Sequence, residues 1–164
     1  MPKILPAVFA LSVLGSSAAM ATATSPADYV AKAGSGDLYE RQSSELVLQS
    51  TKDPAVRDFA EKMVADHAKS TADVTAAARQ AGLQPSPPSL DAEQSLMIAE
   101  LRAAKDKARD SAYLRQQRTA HQKALELHRS YAVEGTSAPL KAVATAIVPI
   151  VEQHQQHLER HVHM

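Results

Sequence analysis

Seven histidines and no cysteine decide what chemistry this chain of 164 residues can carry. Without a thiol there is no disulfide, no cysteine-held zinc, no iron–sulfur cluster, no covalently attached c-type haem and no cysteine to take a lipid anchor. Imidazole and carboxylate are then the main strong ligands left for a transition metal. A G-x-S-x-G elbow and a Gly-rich phosphate loop are both missing, so Ser–His–Asp catalysis and phosphate cradling have no residues to support them, and no catalytic residue is assigned. Charge is balanced at 18 Lys+Arg against 18 Asp+Glu, and only 4% of residues are aromatic. A nucleic-acid partner is excluded on that ground, since such modules present a basic face and often stack bases on aromatic rings.

Which histidines can meet depends on the elements that carry them. Residues 1–23 read as a secretory signal peptide: Lys3 gives a positive start, Ile4 to Gly15 form an apolar run too short to span a bilayer, and Ala19-Met20-Ala21 or Ala21-Thr22-Ala23 offers a cleavage site. The implied location is outside the cytoplasm, the periplasm in a Gram-negative source, with no transmembrane segment after cleavage. Residues 24–164 form one domain. Ser25-Pro26 and Asp53-Pro54 pair a capping side chain with proline at the first helical position. Gly82 and Gly135 each follow a long helical run, where a left-handed residue closes the last turn. A connector over Gln84-Pro85-Ser86-Pro87-Pro88 leads to Ser89 as the next cap, and Pro139 opens the last segment. These signals predict long helices at about 26–51, 54–82, 107–133 and 138–162, with a short one at about 90–104 before the third. The fold class is all-α: an antiparallel four-helix bundle plus one short extra helix.

Polar residues interrupt the apolar stripes of these helices. On the second long helix the stripe holds Val56, Phe59, Ala60, Met63 and Val74, and His67 falls on it four residues after Met63. On the last, His154 follows Ile147 by seven and Val151 by three. On the third, His121 shares a stripe with Tyr113, Gln117, Ala124 and His128. On the first, Val30, Gly34 and Leu38 drift without settling on one face. His67 lies about 14 residues from Asp53, and His121 and His154 lie about 15 and about 16 to 17 from Ser137, levels that agree within roughly 5 Å at 1.5 Å per residue. The same height on the first helix selects Glu40 over Glu45. Glu40, His67, His121 and His154 would make a core site for one transition metal. The same residues could equally form a metal-free hydrogen-bonded network that fixes register. His128 is expected beside Tyr131 or Glu126, and Asp66 as a solvated helix charge. At the C-terminus, His157 and His161 form an i, i+4 pair able to chelate a divalent ion on a helix surface.

The mature chain, roughly 27–160, resembles the bacterial domain of unknown function 4142, a ferritin-like family whose members are often described as outer-membrane or exported proteins. The resemblance is carried by Ala27-Asp28-Tyr29-Val30-Ala31-Lys32-Ala33, Asp37-Leu38-Tyr39-Glu40, Val56-Arg57-Asp58-Phe59-Ala60 and Met63-Val64-Ala65-Asp66-His67. Tyr113-Leu114-Arg115-Gln116-Gln117 with His121, and Ile147-Val148-Pro149 with His154, complete it. It implies an exported ferritin-like bundle, possible association with the outer membrane, and recurring Glu and His positions at Glu40, His67, His121 and His154; it supplies no activity. Ferritin-type di-iron sites need Glu-x-x-His on each of two helices, and this chain has none. Glu126-x-His128, Glu152-x-His154 and Glu159-x-His161 put their two groups about 200° apart around the helix, so none of these pairs can serve one ion. A ferritin-like redox or oxygen-handling enzyme is the second reading, and a metal-free structural or stress-response protein, packing an Ala/Leu face on a protein partner or a second copy of itself, is the third.

Overall fold

A computed structural model describes residues 24–160; the expected signal peptide, His161 and His163 lie outside the described residues. Five helices, and no strand among the described residues, follow in the order α1 (Pro26–Leu48), α2 (Pro54–Gln80), α3 (Ala92–Ala103), α4 (Asp106–Glu134) and α5 (Ala138–Arg160). The Ser25 hydroxyl accepts the Asp28 amide and the Asp53 carboxylate accepts those of Ala55 and Val56, each with proline at the first turn. Gly82 takes the left-handed conformation, φ 77°, that closes α2. Gly135 does not: its φ is −58°. There, close approach excludes a side chain, because a Cβ would stand 2.5 Å from the Tyr131 carbonyl oxygen and against its ring. The cap of α3 is Asp91 rather than Ser89, since Asp91 completes a reciprocal capping box with Gln94. α5 runs on through Pro149.

Helices α1 and α2 pack as one hairpin and α4 and α5 as another; α1 lies along α4, α2 along α5, and α3 lies across α1 and α4. Neighbours run in opposite directions. Tyr29 at the start of α1 meets Tyr131 near the end of α4, while Ser44 near the end of α1 meets Tyr113 near the start of α4. Likewise Phe59, early in α2, stacks on His157, late in α5.

Along the bundle axis the core has three layers. One apolar cluster joins Tyr29, Ala33, Val74, Leu125, Leu140, Ile147 and Val151; the other joins Val47, Phe59, Met63, Tyr113, Leu101 and Leu158. Between them lie buried Asp37, Glu40, His67, Gln117, His121 and His154. Helix α1 accounts for its own unclear pattern: it buries Tyr29, Ala33, Asp37, Glu40, Ser44 and Val47, while Val30, Gly34 and Leu38 are only half-buried. All four tyrosines of the sequence are buried to within 1% of full exposure loss, so the core is built on aromatic rings as well as on alanine. Tyr29 and Tyr131 stack with centroids 3.9 Å apart. Among the described residues no helix is long and apolar enough to cross a membrane.

Candidate metal centre

His67 on α2, His121 on α4 and His154 on α5 each offer a nitrogen to one point in the middle layer, and these ligand atoms all lie within 4.8 Å of one another. Helical register delivers them. Each histidine sits between a residue of one apolar cluster and a residue of the other on its own helix, so packing at both ends fixes its height and direction.

The hydrogen bonds on the outer side of each ring decide what faces inward. His67 Nδ1 lies 2.8 Å from the Asp37 carboxylate, His121 Nδ1 lies 2.9 Å from the Gln117 carbonyl oxygen, and His154 Nε2 lies 2.8 Å from the Asp66 carboxylate. A carbonyl or carboxylate oxygen only accepts here, so each of these nitrogens carries the proton and donates. In a neutral ring the other nitrogen then presents a lone pair. His67 Nε2 is buried without a partner, and His121 Nε2 and His154 Nδ1 face each other at 3.2 Å. Donation of the outer N–H to a carboxylate or carbonyl is the arrangement that orients metal-ligating histidine and raises its basicity.

Burial pushes the His121 imidazolium pKa down to about 3, with His67 and His154 adding repulsion. Burial also takes His154 down to about 4, although Asp66 opposes the shift. Both rings are therefore neutral near pH 7. Burial acts on His67 in the same direction, but Asp37, Glu40 and Asp66 together outweigh it and raise its pKa. For Asp66, too, burial opposes charge, and hydrogen bonds from Lys62 and His154 prevail and keep the carboxylate ionised.

Glu40 lies beside this group rather than inside it. Its Oε1 is 3.5 Å from the outer nitrogen of His121, and its Oε2 is buried with no hydrogen-bond partner. Burial raises its pKa to about 7, against the pull of His67 and Gln117 and with the push of Asp37. Glu45, the alternative at sequence level, is exposed. His157 is half-buried with its ring stacked on Phe59 at 5.0 Å, and its expected partner His161 is outside the described residues. His128 is turned toward α1, where the Tyr29 hydroxyl lies 3.0 Å from its Nδ1.

Asp37, Asp66 and Gln117 orient the histidines, and reading the sequence for ligands alone passes over all three. Two of them leave a signal. Asp37 precedes Glu40 by three residues and so shares its face, and Asp66 adjoins His67, turned about 100° around α2 toward α5. Gln117 acts through its backbone carbonyl, which no residue type announces.

A cleft of about 790 Å³ reaches the layer from solvent. Asp37, Glu40, His67 and His154 line its inner wall, and exposed Lys69 and Lys123 stand at its outer reaches.

An all-α bundle with three oriented imidazoles converging in its core is the class of molecule these features define. The chain belongs to the family described as domain of unknown function DUF4142, whose model matches residues 12–160. No curated protein matches the sequence. Among solved structures it is similar to a DUF305 protein from Streptomyces coelicolor, described as a candidate secreted protein. The TM-score is 0.67 at 17% identity, over 84% of this chain and 90% of that one, a likeness of fold.

Proposed function

We propose that the chain is an exported ferritin-like helical bundle that binds one first-row transition-metal ion through His67, His121 and His154, with the Glu40 carboxylate alongside, and that its role is non-enzymatic. The observation that carries this reading is the set of outer hydrogen bonds: three rings give their protons to Asp37, the Gln117 carbonyl and Asp66, which leaves three nitrogens converging within 4.8 Å. Two neutral imidazole nitrogens 3.2 Å apart, both presenting lone pairs, repel each other unless a cation lies between them. A metal-free network would instead pair each acceptor with a donor, and Glu40 Oε2 and Gln117 Oε1 have none. All-nitrogen ligation suits zinc, copper, nickel or iron.

Export rests on the signal-like residues 1–23 and on the description of the DUF305 neighbour as secreted. The periplasm is the proposed compartment, whether free or associated with the outer membrane. The surface pair His157–His161 has less support as a second site, because His157 is packed on Phe59. The test is elemental analysis of untagged protein paired with thermal melting. About one equivalent of metal, lost in His67→Ala and His121→Ala, and a lower melting temperature after EDTA are expected. Metal-free protein whose melting is unmoved by EDTA and by added zinc or copper removes the metal from the reading.

A further inference from the structure

Three imidazoles would not by themselves fill the coordination shell of such an ion, and the walls of the cleft decide what could complete it. This step rests on the metal reading above and adds a ligand class to it. The cleft runs from exposed Lys69 and Lys123 inward to His67 and His154, so part of the ligand group borders a space that solutes can enter. The inner wall is rich in acceptors. Glu40, 97% buried by its 3% residual exposure, lines the cleft with Oε2 unpartnered, and Asp37 lines it beside Glu40. Gln117, which holds Oε1 without a partner, packs fully buried against the same level of α1 through Ser43. The Gln117 amide is given to Ser43 and Lys62 to Asp66, and in the metal-bound state the His67 Nε2 lone pair is given to the ion.

Orphaned acceptors in a low-dielectric wall favour a ligand that brings hydrogens, and the Asp37 and Glu40 carboxylates on that wall offset the attraction of the ion's own charge for an anion. We infer that the metal keeps an exchangeable fourth position facing the cleft, and that this position takes a small, uncharged, protic molecule of the water, hydroxylamine or hydrogen peroxide type in preference to an anion. Glu40 is the selecting residue: its carboxylate accepts a hydrogen from the bound molecule and repels an anionic competitor.

The full chain loaded with cobalt(II) tests this through its visible absorption at a pH of about 8, with hydroxylamine as the uncharged protic probe and azide as the anion. Hydroxylamine should shift the cobalt bands in a saturable titration, and azide should bind at least about tenfold more weakly. Glu40→Gln, which keeps the shape and removes the charge, should tighten azide by about tenfold or more and weaken hydroxylamine. Ala124→Phe, which fills the cleft from α4, should retain cobalt and lose both responses; melting curves confirm that each variant is folded. Azide binding the native protein as tightly as it binds Glu40→Gln, or cobalt-loaded protein whose bands neither probe moves, overturns the inference while the metal site stands. Failure to bind cobalt at all overturns both together.

Discussion

The two apolar clusters and the polar layer between them are carried by the same four long helices, yet they are built on opposite rules. At the ends, Phe59, Met63 and Leu158, and Leu140, Ile147 and Val151, fill space with side chains that need no partner. In the middle, Asp37, Glu40, His67, Gln117, His121 and His154 are just as buried, and three of their polar atoms are unpaired. Each unpaired buried polar atom costs about 1–3 kcal/mol, and well-packed apolar residues of similar volume in that layer would be no less stable. The ends therefore hold the bundle together, and the middle layer costs stability that the proposed metal would offset.

The largest expected effect lies at the ends. Leu140→Ala should cost about 2–5 kcal/mol in denaturant unfolding, the same with and without metal, because Leu140 is fully buried in an apolar cluster away from the histidines. A loss under about 1 kcal/mol would mean that the clusters do not carry the fold. Next comes the middle layer's response to its ligand. Zinc or copper at about 100 times its dissociation constant should stabilise the protein by about 2.7 kcal/mol, and His121→Ala should abolish that increment. Equal stabilisation of the variant would place the ion elsewhere.

Acid should distinguish the layers through proton linkage, with an effect reduced by opposing groups. His121, His154 and His128, held by burial at about 3, about 4 and about 4, are lowered from 6.5. Their unfolded forms take up protons that the folded forms refuse, so their contribution is complete above pH 6.5 and is lost as pH falls toward those values. Glu40, raised by burial from 4.5 to about 7, contributes fully below 4.5 and loses that contribution as pH rises through 7. His67, raised, likewise contributes below 6.5 and loses it as pH climbs through its folded value. Three groups against Glu40 alone, since the contribution of His67 is already complete below 6.5, should make the melting temperature of metal-free protein fall between pH 6.5 and 4.5. A flat or rising profile in EDTA would show that the inner nitrogens of His121 and His154 hold protons instead of lone pairs.

The ends were also the easier half to read from sequence. Helices α2 and α5 show their register because their stripes are apolar on both sides of His67 and His154, and proline, aspartate and glycine mark most helix boundaries through local chemistry. The polar layer was legible only where a histidine interrupts such a stripe. Helix α1 hides its face, since four of its buried residues are Asp37, Glu40, Ser43 and Ser44, residues that hydropathy places in solvent. Asp66 read as a surface charge because its partner His154 lies 88 positions away in sequence, on a helix whose rotation fixes the contact. Gly135 looked like a left-handed cap because sequence does not distinguish a need for positive φ from a need for space beside Tyr131.

Single charges, one inside the layer and one outside it, give the smallest expected effects. Glu40→Gln, which removes a buried charge with one oxygen unpartnered, should stabilise metal-free protein by about 1 kcal/mol while weakening metal binding, and the two opposite signs are what a residue kept for binding predicts. Lys123 and Glu93 are ion-paired at 2.6 Å with both side chains 59% exposed. Water already solvates both ions, and holding two long side chains in one geometry costs entropy that offsets most of the Coulomb attraction. Lys123→Ala should therefore shift stability by about 0.5 kcal/mol or less, and the small loss should shrink further in 0.5 M salt, a screening that the Glu40 effect should not share. If Lys123→Ala matched the core carboxylate in size, burial would not be what sets the two apart.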